Sequence, residues 1–148
     1  MHRTALVWIL LLLAFAGIAD AWYLAASALS NTALSCDLGA ALDGCNIVAK
    51  SPYSHFLGVP LALYGVGFYA VTFVLAGLLL VLHDRWLTRA LYMLSIVGAL
   101  ASLVFLAIQF VLIKALCVYC IGSAGISFLI FFVVHGLWRK TKGRTPSL

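Results

Sequence analysis

The 148-residue chain is 66% hydrophobic and 9% charged, a balance that excludes a soluble domain of this length. It reads as an integral membrane protein. Its net charge of +5 is accounted for by a basic rim on one membrane face, so the charge implies no nucleic-acid partner.

A hydrocarbon layer about 30 Å thick takes roughly 20 apolar residues of helix. Four runs meet that length, at about residues 5–29, 59–82, 91–113 and 116–138. The expectation is therefore an all-α, four-transmembrane-helix bundle forming one domain over residues 1–148. A loop at 30–58 joins the first two helices, and a basic tail occupies 139–148.

The first run follows a basic start and contains the small-x-small stretch Ala19–Ala21, a pattern shared with cleavable signals. Its apolar character continues through Trp22 to Leu29, longer than a signal's apolar region, so it is read as a retained helix. Asp20 is its one carboxylate. Ionisable residues in spans face the bundle or a functional site, and a position near the helix end also allows a carboxylate to reach water or a loop donor.

The loop carries Cys36 and Cys45, then "KSPY", where Ser51 suits a helix cap and Pro52 a first helical position. Only Lys114 separates the third and fourth runs, with no Gly or Pro to mark a turn. Read as one helix, residues 91–138 would extend about 70 Å. The chain must therefore turn near Lys114, whose ammonium reaches the interface while its stem stays in apolar surroundings.

Arg3, Arg85, Arg89, Arg139, Lys140, Lys142 and Arg144, 7 of the 9 basic residues, fall on one face of a four-span topology. Lys and Arg concentrate on the cytoplasmic side, which predicts a multi-pass protein of the bacterial inner membrane with cytoplasmic N- and C-termini. His83 and His135 then lie near the cytoplasmic interface, and the 30–58 loop faces the periplasm.

On that topology all four cysteines face the oxidising compartment. Cys36 and Cys45 sit in the loop; Cys117 and Cys120 open the fourth helix as a Cys-x-x-Cys. Any one of them alone would pass for a small buried hydrophobe, but two pairs on one face point to disulfide chemistry. A zinc site is the competing reading. Cysteines nine positions apart in "CDLGAALDGC" are wider than common zinc spacings, and such a site leaves the apolar setting of Cys117 and Cys120 unexplained. Haem attachment requires histidine at 121, which is Ile121.

A cysteine at a helix start gains from backbone N–H groups and the helix dipole, which stabilise a thiolate, while apolar burial opposes it. Exchange through mixed disulfides lets a loop pair serve water-borne partners while a membrane pair meets a lipid-soluble oxidant.

The run "CDLGAALDGCNIVAKSPYSHFLGVP", then "YGVGFY" from Tyr64 and "CVYC" at the head of the last helix, resembles the vitamin K epoxide reductase family. The match combines two cysteine pairs, Cys36-Asp37-x-Gly39, Ser51 six positions after Cys45, and Gly58-x-Pro60. The resemblance spans nearly the whole chain. It implies that Cys117 and Cys120 are the membrane active-site pair, with Cys120 toward a quinone (menaquinone or ubiquinone) and Cys117 exchanging with the loop. Cys36 and Cys45 would be the shuttle pair, reduced by a thioredoxin-fold disulfide-forming protein of the periplasm. Ser51 would lie in a short loop helix over the pocket as a hydrogen-bond donor, although its sequence context equally suits a plain turn.

Two departures qualify the resemblance. Ala124 stands where the vertebrate enzymes have a tyrosine four residues after the second cysteine, which weakens vitamin K epoxide as a substrate. Many bacterial relatives carry a fused thioredoxin-like domain after the helices; here the sequence stops at Leu148, so a separate partner is expected.

Tyr53, Phe56, Tyr64 and Tyr119 are candidates to line the quinone site or to form an interfacial belt. His55 is a further pocket candidate, and Asp37 and Asp43 would either tune the loop thiols or simply be solvated. Gly65, Gly67, Gly98, Gly122, Ser123 and Gly125 would allow close helix approach. Three functions follow: a quinone-dependent thiol oxidase, a quinone-epoxide reductase, or a structural or zinc-binding membrane subunit with passive disulfides.

Overall fold

The computed structural model describes residues 2–36, 44–82 and 84–143. His83, Asp37, Gly39, Asp43 and Arg144, all named above, lie outside the described residues. Among the described residues, four helices are long and apolar enough to cross a membrane. Helix α1 spans Arg3–Ser30, and the following loop contains the short helix α2 (Cys45–Ala49) and a 3-10 turn (Pro52–Ser54). Strands β1 (His55–Phe56) and β2 (Val59–Pro60) form a small hairpin leading into α3 (Leu61–Val81). Helix α4 (Arg85–Ala107) continues as a π-helical segment over Ile108–Ile113, and α5 covers Val118–Lys142.

Several boundaries differ from the hydropathy reading, each for a local reason. Helix α4 begins at Arg85, not near 91, because Asp84 caps it: its carboxylate accepts the Trp86 N–H at 3.0 Å. Hydropathy marks what crosses a bilayer, whereas the cap sets where the helix starts. Helix α3 begins only after the β2 strand, at Leu61. Helix α5 runs on to Lys142, so Arg139, Lys140 and Lys142 belong to its last turn, where they complement the helix dipole.

The turn between α4 and α5 uses neither Gly nor Pro. Lys114 itself takes the left-handed conformation (φ 54°) and ends the π-helical segment. Asn31 ends α1 in the same way. In the hairpin, Leu57 (φ 53°) and Gly58 (φ 79°) supply the two positive-φ positions that a two-residue turn demands.

The helices close a ring: α1 packs against α3 and α5, and α4 packs against α5 and, less extensively, α3. Leu6, Val7, Leu10, Leu79, Leu91, Ile130, Val134 and Leu137 fill the end formed by the start of α1 and α4 and the finish of α3 and α5. Leu12, Phe15, Leu100, Leu103, Val104 and Phe132 point outward and are exposed. Lipid tails are as apolar as these side chains, so burial alone does not hold the helices together; tight packing and buried polar contacts do.

Gly17, which the sequence did not single out, lies directly under the Tyr69 ring, leaving no room for a Cβ. Gly98 similarly receives Phe68, and Gly65 approaches Ala21. Gly67, Gly122 and Gly125 have nothing within 4 Å of a would-be Cβ and do not serve as contact points.

Candidate active site

At the end opposite this dense core, the helices separate around a cavity of about 360 Å³. Its wall draws on α1, α3, α4 and α5 and on the loop segment from Cys45 to Pro60, and is largely apolar.

Cys36 and Cys45 form a disulfide, while Cys117 and Cys120 are free thiols. The pairs are neighbours: Leu34, Cys36, Cys45 and Cys117 form one buried cluster, with Val118, Tyr119 and Cys120 packed against it. Cys45 and Cys117 are 0% and 1% exposed, whereas Cys120 is only half-buried. Cys45, Cys117 and Cys120 all line the cavity.

Three local devices hold this arrangement. Asn46, next to Cys45, clamps Leu34 through both ends of its amide: Oδ1 accepts the Leu34 N–H at 2.9 Å and Nδ2 donates to the Leu34 carbonyl at 3.2 Å. The Tyr119 hydroxyl donates to the Ser35 carbonyl at 3.0 Å, tying the approach to Cys36 onto α5. Gly44 lies so close to the α4–α5 turn that a Cβ would stand 2.6 Å from both the N and the O of Leu116. The loop backbone therefore rests directly on the segment leading into Cys117.

Cys117 caps α5. Its Sγ accepts the Cys120 N–H at 3.3 Å, and its own N–H donates to Gln109 Oε1 at 3.1 Å. Gln109 is 4% exposed, sits in the π-helical segment and lines the cavity. π-bulges are frequent at functional sites, and here the wider turn places an amide where it fixes the start of the next helix. The signal for Gln109 was present in the sequence as the single amide in an otherwise apolar span. Asn46 carried no comparable signal, because its role depends on where Leu34 folds.

Of the other expected site residues, Ser51, His55, Tyr64 and Tyr53 line the cavity; Phe56 and Tyr119 do not. Phe56 turns outward, packs edge-on against Tyr64 (centroids 6.0 Å) and lends its carbonyl to the Tyr64 hydroxyl. Tyr119 faces Tyr23 and the Ser35 carbonyl instead. Ser51 lies between α2 and the 3-10 turn, with Pro52 at the first 3-10 position, and its hydroxyl donates to the Val48 carbonyl at 2.7 Å. The donor expected to face a ligand is thus committed to the backbone. His55 Nδ1 is paired with Ser54 Oγ at 2.8 Å. His135, at the far end, meets the Tyr92 hydroxyl and ring, on which Trp138 stacks.

Ala124 lines the cavity and brings no hydroxyl to it. A phenol reaches the same stretch from α3: the Tyr69 hydroxyl donates to the Ser123 carbonyl at 2.7 Å and lies 2.9 Å from Ser123 Oγ and 3.0 Å from Ser127 Oγ. Asp20, on α1 one turn before Tyr23, stands level with this polar group across the Tyr23–Tyr119 contact between α1 and α5.

Two cysteine pairs gathered beside an apolar cavity at one end of a four-helix membrane bundle define a membrane thiol–disulfide oxidoreductase. Residues 8–135 match the model of the Vitamin K epoxide reductase family, and the chain belongs to that family. Its members are oxidoreductases that depend on quinone or vitamin K and generally work with a thioredoxin-like redox partner. No curated protein matches the chain.

Proposed function

We propose that the protein reoxidises a separate, periplasmic thioredoxin-fold thiol oxidase and passes the electrons through the loop pair and the Cys-x-x-Cys to a quinone. The observation that carries this reading is the single buried cluster holding Cys36, Cys45 and Cys117 while Cys120 borders the cavity. The orientation that goes with it sets the loop in the periplasm of a bacterial inner membrane and both termini in the cytoplasm, from the skew of basic residues.

A thiolate of the reduced partner attacks the Cys36–Cys45 disulfide; the partner's second thiol resolves the mixed disulfide, leaving the loop pair as two thiols. Cys45 shares the cavity wall with Cys117, and its neighbour Gly44 rests on Leu116. We therefore assign Cys45 to attack the Cys117–Cys120 disulfide at Cys117, and Cys36 to meet the partner and resolve the mixed bond. Exchange then leaves the loop pair oxidised and the Cys-x-x-Cys reduced.

The cavity fits a quinone ring. About 360 Å³ lies within the usual range for small-ligand sites, and the wall is apolar with a few hydroxyl and imidazole groups at its loop end. A bound quinone supplies an acceptor for two electrons and two protons. Cys120, Tyr53, Tyr64, His55 and Ser51 all line the cavity and would hold it. Apolar surroundings keep water from competing for the reactive thiol.

The test is quinone reduction by membranes given reduced partner. Cys117→Ala and Cys120→Ala should each abolish it; either variant reducing quinone at the wild-type rate overturns the relay.

A further inference from the structure

We propose that Asp20 is the proton-exchanging partner of the Cys117–Cys120 pair, taking up a proton when the pair is reduced and returning it when the pair is reoxidised. This rests on the relay reading above.

Asp20 is the one carboxyl group within the four spans. Its Oδ2 is buried without a hydrogen-bond partner, a costly condition for a fixed carboxylate oxygen and an ordinary one for a group that gains and loses a proton. Asp20 lies one turn before Tyr23, whose ring meets Tyr119 on antiparallel α5 (centroids 5.2 Å), which sets it level with Ser123, one turn beyond Cys120 and therefore on the same helix face. Ser123 and Cys120 both border the cavity.

Tyr69 and Ser127 extend the group to four side chains from three helices. A chain of hydroxyls whose hydrogens can reverse direction is a path for a proton through an apolar bundle. The Asp20 charge acts on both Cys117 and Cys120. Among the described residues, Tyr69 from α3 and Tyr119 from α5 are the other titratable groups on which it acts.

Two negative charges in one poorly polarisable site are unfavourable, so the site holds one at a time. With the pair oxidised, the charge is on Asp20. When the two loop thiols reduce the Cys117–Cys120 disulfide, two electrons and two protons move inward. One proton stays on Cys120, the other passes to Asp20, and Cys117 carries the charge. On reoxidation the Cys117–Cys120 bond re-forms. The two electrons, the Cys120 proton and the Asp20 proton leave together to convert quinone to quinol, and Asp20 is again the carboxylate.

The experiment is redox-difference infrared spectroscopy on the purified protein in lipid, with dithiothreitol as reductant. Reduction of the wild type should produce the carbonyl stretch of a protonated carboxyl, sensitive to deuteration, absent in Asp20→Asn and shifted in Asp20→Glu. In parallel, Asp20→Asn should slow quinone reduction by about 100-fold, the scale of a lost proton-transfer group, while exchange between loop and Cys117 continues. No redox-linked carboxyl signal in the wild type, or one that survives in Asp20→Asn, overturns the proposal. The wild-type spectrum decides it even if a variant misfolds. Unchanged quinone reduction in Asp20→Asn removes the role of Asp20 alone, whereas unchanged reduction in Cys120→Ala removes the relay itself.

Discussion

Gly44 and Gln109 set the position of Cys117 from two sides, yet neither carries redox chemistry. At Gly44 the φ is ordinary (−78°), so the requirement is space: a methyl group there would sit against the Leu116 backbone. Forcing extra carbon into such a contact costs about 1–3 kcal/mol. Gly44→Ala should therefore slow disulfide exchange between loop and Cys117 by at least about fivefold, read by rapid alkylation and mass spectrometry, while both pairs still form their own disulfides. Gln109→Leu removes the acceptor for the buried Cys117 N–H, a loss of about 1–3 kcal/mol. It should lower the thermal midpoint in detergent and slow quinone reduction together.

The two cysteine pairs stood out in the sequence by residue type and spacing, while Ser51 entered through the family resemblance and His55 and Tyr64 as pocket candidates; all three line the cavity. Asn46 and Tyr69 act through partners 12 and 54 positions away, and no local pattern records such a pairing; the Gln109 amide stood out in its apolar span, but its bond to Cys117 depends on the π-helical turn. Phe56 and Tyr119 show the converse: aromatic type placed them as cavity candidates, but the hairpin turn and the bond to Ser35 direct them elsewhere.

At the level of elements, hydropathy found the four spans and the turn at Lys114, while the ends of the helices followed rules that hydropathy does not contain. Asp84 extends α4 back to Arg85 by capping it. The π-helical segment and the left-handed Lys114 could not be read from "IQFVLIKA", because both depend on α5 docking back against α4. That left-handed backbone makes a paired prediction. Lys114→Gly relieves the strain of a side chain at positive φ, about 1–2 kcal/mol, against an unfolded-chain entropy cost of about 0.4–1 kcal/mol. It should be neutral or slightly stabilising. Lys114→Val, a branched residue at positive φ, should lower the thermal midpoint clearly; equal midpoints for the two variants would contradict the turn geometry.

Across the whole molecule, the dense core and the cavity occupy opposite ends of the bundle. One end fixes the helices; the other leaves a space where loop, thiols and the Asp20 group meet. If the skew of basic residues sets orientation as proposed, an impermeant maleimide applied to the periplasmic face should label the loop cysteines after mild reduction, and single-cysteine probes near residues 2 and 143 should label only from the cytoplasmic face. The reverse pattern would overturn the topology and with it a periplasmic partner.

The central claim is that electrons pass between the loop pair and the Cys-x-x-Cys by direct disulfide exchange. Removing Cys120 leaves Cys117 without its resolving thiol, so the inter-pair bond should accumulate. Mass spectrometry of rapidly alkylated Cys120→Ala protein measures this directly. A Cys45–Cys117 disulfide with Cys36 alkylated is expected; only an intact Cys36–Cys45 bond and a free Cys117, unchanged by reduced partner, would rule out exchange between the pairs.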